Sequence, residues 1–121
     1  MTTHILLIED NYTLRRLYAR ALMDAGFNVT HAEDSATARH HLTNGHYDIA
    51  ICDVQLTDGI ATDLMSEMHA LGIPVLAISA DETYQQVSSR LNLDGFLQKP
   101  IPTRLLAPSV EAILGRRLPV V

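Results

Sequence analysis

Little in this chain can cross-link, span a membrane or grip a polyanion. Among its 121 residues there is a single cysteine, Cys52, so no internal disulfide can form and a reducing compartment is the expected setting. No apolar run approaches the roughly 20 residues that a membrane span requires. The opening Met-Thr-Thr-His and the short apolar run after it are too brief for a signal peptide. A cytoplasmic protein with no membrane partner is therefore expected. The net charge is −5, and the basic residues toward the C-terminal end (Arg90, Lys99, Arg104, Arg116, Arg117) form no dense run, so direct nucleic-acid binding is not expected. Internal repeats, linkers and low-complexity tracts are missing, as are P-loop and dinucleotide fingerprints.

What is present is a regular alternation. Hydrophobic residues make up 47% and charged residues 19%, the balance of an ordinary soluble globular protein, and the length suits one domain rather than two. Ile5-Leu6-Leu7-Ile8 is a compact aliphatic run, as expected of a strand buried on both faces. Leu14, Leu17, Tyr18, Ala21, Leu22 and Ala25 then recur at helical spacing, with Asn11 able to cap that helix and Gly26 to end it. Further strands are expected at Phe27–Thr30, Asp48–Asp53, Val75–Ser79 and Gly95–Gln98. Further helices are expected over about 35–44, through Ile60, Leu64, Met65, Met68 and Leu71 up to Gly72 and Pro74, over 83–91, and over about 103–117. Five strands alternating with five helices imply right-handed crossovers and an α/β fold with a doubly wound parallel sheet. Such sheets place ligands beyond the strand C-termini.

Those strand ends carry the polar residues. Glu9 and Asp10 follow the first strand, Asp53 ends the third, Ser79 ends the fourth and Lys99 follows the fifth. Any one of these could be an ordinary polar loop residue. Together they put complementary chemistry on one edge. Three carboxylates and one ammonium leave a formal deficit that a divalent cation cancels, and crowded carboxylates need such compensation. Oxygen-only donors in a shallow site favour Mg2+ over a full Ca2+ cage. A carboxylate can act as the nucleophile in phosphoryl transfer, and Asp53 is the best placed to do so. Lys99 can pair with a phosphoryl oxygen, Ser79 can donate to another, and Pro100 would restrict the backbone beside Lys99.

This arrangement resembles the receiver domain of two-component response regulators. The resemblance rests on Ile-Leu-Leu-Ile-Glu9-Asp10-Asn11, on Ile-Cys-Asp53-Val-Gln-Leu, on Ser79-Ala80 and on Lys99-Pro100, and it covers essentially the whole chain. It implies a flavodoxin-like five-stranded sheet of order 2-1-3-4-5 and a single receiver domain over 1–121, with no output domain visible. It further implies Asp53 as the phosphoacceptor, served by a sensor histidine kinase or a phosphotransfer protein. Mg2+, with Mn2+ as a substitute, would be held by Asp10, by Asp53, by Glu9 through water and by the Gln55 backbone carbonyl. Ser79 and Lys99 would sense the phosphoryl group, and Phe96 would be the aromatic that turns inward with Ser79, the plain alternative being a core aromatic. Gln55 and Asp81 occupy the positions that tune phosphoryl lifetime. The output would be a rearranged face around the fourth helix, fifth strand and fifth helix, addressed to a downstream protein or output domain. The domain would act as a monomer or a phosphorylation-dependent dimer. It would be a switch rather than an enzyme, catalysing at most its own phosphorylation and dephosphorylation.

Two departures from the family pattern stand out. Thr57 stands where Pro is usual and Ala61 where Gly is usual, so Asp58-Gly59 is expected to make the turn after Asp53. Pro108 falls inside the last helix, which should either kink or begin properly at Pro108. The remaining conspicuous residues invite blander readings. The six histidines (His4, His31, His40, His41, His46, His69) lack ligand spacing with an acid cluster and are expected to be solvated surface residues, Cys52 is expected to be a small core residue, and Met65 and Met68 suit a packed helix face. The tail Leu118-Pro119-Val120-Val121 is expected to fray or to tether something. An aspartate-nucleophile phosphatase would carry a second Asp where Gln55 stands. A pseudo-receiver would be expected to lack part of the acidic set.

Overall fold

A computed structural model describes residues 2–117, so the expected fraying tail at 118–121 lies outside the described residues. The elements run β1 (His4–Ile8), α1 (Tyr12–Asp24), β2 (Asn28–Ala32), α2 (Ser35–Asn44), β3 (Ile49–Asp53), β4 (Gln55–Leu56), β5 (Gly59–Ile60), α3 (Thr62–Ala70), β6 (Val75–Ser79), α4 (Tyr84–Arg90), β7 (Gly95–Gln98) and α5 (Leu106–Arg117). A single 3-10 turn, Thr103–Leu105, leads into α5. The main sheet is parallel throughout, in the order β2-β1-β3-β6-β7. This is the expected 2-1-3-4-5 arrangement, with β4 and β5 forming a separate small hairpin.

The two-residue period of the strands sorts their side chains into two cores. Ile5 and Leu7 of β1 join Ile49, Ile51, Leu76 and Ile78 against Tyr18 and Leu22 of α1 and Leu106, Val110 and Ile113 of α5. Leu6 and Ile8 join Ala50, Cys52, Val75 and Ala77 against Ala38 of α2 and Leu64, Met65 and Met68 of α3. Residues of β1, β3 and β6 must satisfy both cores, which is why those strands read as unbroken aliphatic runs. Each such side chain contributes on the order of 1.5–3 kcal/mol of transfer free energy. Cys52 is fully buried here as a small core residue, and burial pushes its thiol far above the usual range.

Helix starts follow side-chain caps. Asn11 Oδ1 accepts the Leu14 N–H at 2.9 Å, and Asp34 Oδ1 accepts the Thr37 N–H at 2.7 Å. Gly26, at φ +98°, turns the chain out of α1.

Several expectations require correction. The second strand runs Asn28–Ala32 rather than Phe27–Thr30, because its register is set by pairing with β1, from His4↔Asn28 to Ile8↔Ala32. The third strand starts at Ile49 rather than Asp48, which instead meets the His4 backbone twice, through its own N–H and through its carboxylate. Ile60 lies outside α3: it sits on β5 and is 56% exposed. The turn after Asp53 centres on Thr57-Asp58 instead of Asp58-Gly59, with Gly59 already paired to Leu56. Pro108 does not start the last helix, which begins at Leu106 and runs on through it. It is the third residue of α5, where its missing N–H falls among donors that have no intrahelical partner anyway. The histidines are not uniformly solvated. His4 is half-buried, bonded to Thr30 Oγ1 at 2.7 Å and set 4.8 Å from the Tyr47 ring, and His41 bonds the His31 carbonyl at 3.0 Å.

Candidate functional site

The C-terminal ends of β1, β3, β6 and β7 meet at one edge of the sheet, and the polar residues picked out by pattern converge there. Glu9 leaves β1 fully buried, Asp53 ends β3 at 5% exposure and Ser79 ends β6 fully buried. Lys99, one residue beyond β7, is tied to β6 by its N–H to the Ser79 carbonyl at 2.8 Å. Its peptide bond to Pro100 is cis. The Lys99 ammonium lies 2.5 Å from Asp53 Oδ2 and also pairs with Glu9 Oε1. Asp53 Oδ1 accepts the Gln55 N–H at 3.0 Å. Both oxygens of Asp53 are thus engaged, one by an ammonium and one by the backbone of the next loop.

The electrostatics are those of an acidic cleft short of positive charge. Burial pushes the Glu9 carboxyl up to about 7; the Lys99 ammonium pulls it down, and Asp53 adds to the rise. Burial works against the Lys99 charge, but the ion pairs with Asp53 and Glu9 outweigh it and hold the ammonium above its usual range. Asp10 completes the set. Glu9, Asp10 and Asp53 each offer a carboxylate oxygen within 4.8 Å of the others. Among the described residues, Glu9 Oε1 is a buried acceptor without a hydrogen bond of ordinary geometry, meeting only the Lys99 ammonium. An all-oxygen cluster with an underused buried acceptor fits a hard divalent cation.

The remaining expected residues surround this centre. Ser79 Oγ accepts the Asp81 N–H at 3.0 Å. The Asp81 carboxylate accepts the Thr83 hydroxyl at 2.7 Å and the Thr83 N–H at 3.0 Å, and those bonds hold it below the usual carboxylate range. Phe96 is half-buried on β7 and packs against the core shared with α2 and α3. Gln55 is exposed at the start of the hairpin.

Three contributors escape sequence reasoning. Arg15 donates to the Glu9 carbonyl at 2.8 Å from a turn of α1, Thr83 holds Asp81, and Asp58 reaches from the hairpin to α2. Asn11 was legible as a helix cap, but its N–H also reaches Glu9 Oε2 at 3.2 Å. No local motif announces the partners of these residues.

Comparison with known proteins decides the family. The response regulator receiver domain matches residues 5–111. The chain belongs to that family. It is 29% identical over 119 residues to the chemotaxis protein CheY of Pseudomonas aeruginosa, covering 93% of this chain and 96% of that one. It is 31% identical over 116 residues to the probable transcriptional regulatory protein SilR of Salmonella typhimurium, covering 93% of this chain and 51% of that one. The chain thus spans nearly all of one relative and about half of the other. Its fold matches the CheY-like receiver domain protein of Methanospirillum hungatei with a TM-score of 0.89 at 21% identity, covering 97% of each chain. As a receiver domain of two-component signalling it is a switch module, and among the described residues no helix is long and apolar enough to cross a membrane.

Proposed function

We propose that this receiver domain accepts a phosphoryl group on Asp53 from a sensor histidine kinase or a phosphotransfer protein, and signals through the face formed by α4, β7 and α5. The observation that supports this most is the placement of Lys99 between Asp53 Oδ2 and Glu9, beside the acidic trio at the sheet edge. In the transfer, an Asp53 carboxylate oxygen forms the new O–P bond while the donor's N–P bond breaks, and the departing imidazole nitrogen takes a proton. Asp10, Asp53, the Gln55 carbonyl and, through water, Glu9 would hold Mg2+ or Mn2+. That ion, when bound, supplies neutralisation of the phosphoryl oxygens. Lys99 moves its contact from Asp53 Oδ2 to a phosphoryl oxygen. Ser79 turns its hydroxyl to another oxygen, releasing the Asp81 N–H, and Phe96 follows it inward. Gln55 and Asp81 set the lifetime of the aspartyl phosphate, Asp81 after leaving Thr83.

The partner downstream is a protein target or an output domain, reached from the monomer or through a phosphorylation-dependent dimer. The test is incubation of the folded protein with acetyl phosphate and Mg2+. A mass increase of about 80 Da, one phosphoryl group, is expected. It should disappear in Asp53→Asn and when the cation is chelated. Equal labelling of wild type and Asp53→Asn would overturn the assignment.

A further inference from the structure

The hairpin that follows Asp53 is held at both ends by the same kind of contact. At its start, the Gln55 N–H donates to Asp53 Oδ1 at 3.0 Å. At its tip, Asp58 Oδ1 accepts the Ser35 N–H at 3.1 Å and Asp58 Oδ2 accepts the Ala36 N–H at 3.2 Å. Ser35 and Ala36 are the first two residues of α2, and Thr37 is capped by Asp34. Two carboxylates therefore satisfy the first three free N–H groups of that helix, one from its own N-cap and one from 23 residues downstream.

The hairpin needs this second anchor. It pairs only Gln55↔Ile60 and Leu56↔Gly59, and Gly59 takes φ +124°, a conformation open to glycine. The Ala61 N–H to the Val54 carbonyl at 2.7 Å closes its base, and Leu56 enters the core beside Ala38 of α2, while Ile60 faces solvent. Among the described residues, Asp58 supplies the polar side-chain contacts that join the tip to the rest of the molecule.

We propose that Asp58 is a positioning residue for the phosphoacceptor site: its carboxylate pins the hairpin to the N-terminus of α2 and so holds the Gln55 backbone against Asp53. This rests on the reading of Asp53 as the phosphoacceptor. The Gln55 N–H fixes one Asp53 oxygen, and the Gln55 carbonyl is a candidate cation ligand. Both move if the tip swings free. The usual Pro is absent from this loop, so the restraint that its ring would supply at position 57 is replaced by a tether.

The test is amide hydrogen exchange by NMR on the metal-free protein, with Mg2+ titration alongside. Asp58→Ala removes the tether and a charge together. Ser35→Pro removes one of the two donors and leaves every charge in place. Proline suits the first residue of a helix, and Asp34 before it is already extended at φ −153°, ψ 175°. Both variants should speed exchange at the Gln55 amide about tenfold, the scale of one lost charge-assisted hydrogen bond. Both should weaken Mg2+ binding severalfold, with the Ile51 amide unchanged. Ser35→Ala, which keeps the N–H, should behave as wild type. So should Arg39→Ala, which cuts the separate link from α2 to Glu67 of α3.

An effect confined to Asp58→Ala would reduce the role to charge alone and overturn the proposal. So would an equal effect of Arg39→Ala, or faster exchange at Ile51 in parallel with Gln55. A wild type that forms no Mg2+-dependent phosphoryl adduct overturns the phosphoacceptor reading and this proposal with it. Unchanged Gln55 exchange in variants of a protein that does form the adduct overturns this proposal alone.

Discussion

The sheet has a sealed half and a loose half. β3 and β6 are buried along their whole length and β1 along all but its first residue, and α1 covers them with Tyr18, Ala19 and Leu22 under an Asn11 cap. β7 is half-exposed along its length, and α4 beside it buries only Ser88 and has no side-chain cap. The polar link between those two elements is a long one, Ser88 Oγ to the Gly95 carbonyl at 3.4 Å. Buried contact density sets local stability, so the loose half opens at lower free energy. Asp53 and Glu9 belong to the sealed half. Lys99 leaves the loose half, yet its ammonium ends between those two carboxylates. Asp53, the proposed phosphoacceptor, thus sits on fully buried strands, while the ammonium that meets it follows the less buried strand.

Four predictions would sharpen or break this contrast. The largest concerns packing. Ile51→Ala should cost about 3–5 kcal/mol, and Leu97→Ala, on half-exposed β7, about 1 kcal/mol, in chemical denaturation. Equal losses would abolish the distinction between the halves.

The second concerns the link itself. Lys99→Ala should slow labelling of Asp53 by acetyl phosphate about tenfold or more. It should also erase the change in β7 amide exchange that labelling produces in wild type. A preserved β7 response in this variant would mean that the halves communicate by another route.

The third concerns Glu9. Without metal, burial pushes its carboxyl up to about 7 from the ordinary value of 4.5 that the unfolded chain keeps. The folded state therefore keeps a proton that the unfolded state releases. The contribution of this group to stability rises as pH falls from about 7 to about 4.5 and is lost above that window. Glu9→Gln, neutral at every pH, should raise the Tm of the metal-free protein by a few °C at about pH 8 and by less near pH 5. A lower Tm at pH 8 would show that the Lys99 ion pair outweighs the cost of burial.

The smallest effect is expected at Thr83→Val, which removes the hydroxyl donor to Asp81 and keeps the backbone one. The Asp81 carboxyl should titrate higher by NMR, and loss of the phosphoryl group should change by less than about threefold. A larger change would place Thr83 itself at the phosphoryl group.

Much of this was open to reading in advance. Val75–Ser79 and Gly95–Gln98 emerge with the bounds expected of them, the first an apolar run that follows Pro74 and the second a short apolar pair set between Asp94 and Lys99-Pro100. The site residues were legible because a parallel sheet brings successive strand ends to one edge, so position along a strand predicts convergence in space. The register of β2, the displacement of Ile60 from α3 and the harmless place of Pro108 were not legible. Each depends on a hydrogen-bond partner or a helix start supplied from elsewhere in the chain.

The alternation of elements, the two apolar faces of the central strands and the gathering of Glu9, Asp10, Asp53, Ser79 and Lys99 at one edge follow from the residue pattern alone, since periodicity and strand polarity are local properties. Which Asp53 oxygen meets Lys99 and which meets Gln55, the hold of Thr83 on Asp81, and the capping by Asp58 of a helix 23 residues before it emerge with the three-dimensional fold. Those are pairings between distant groups, and no local pattern encodes the distance that closes them.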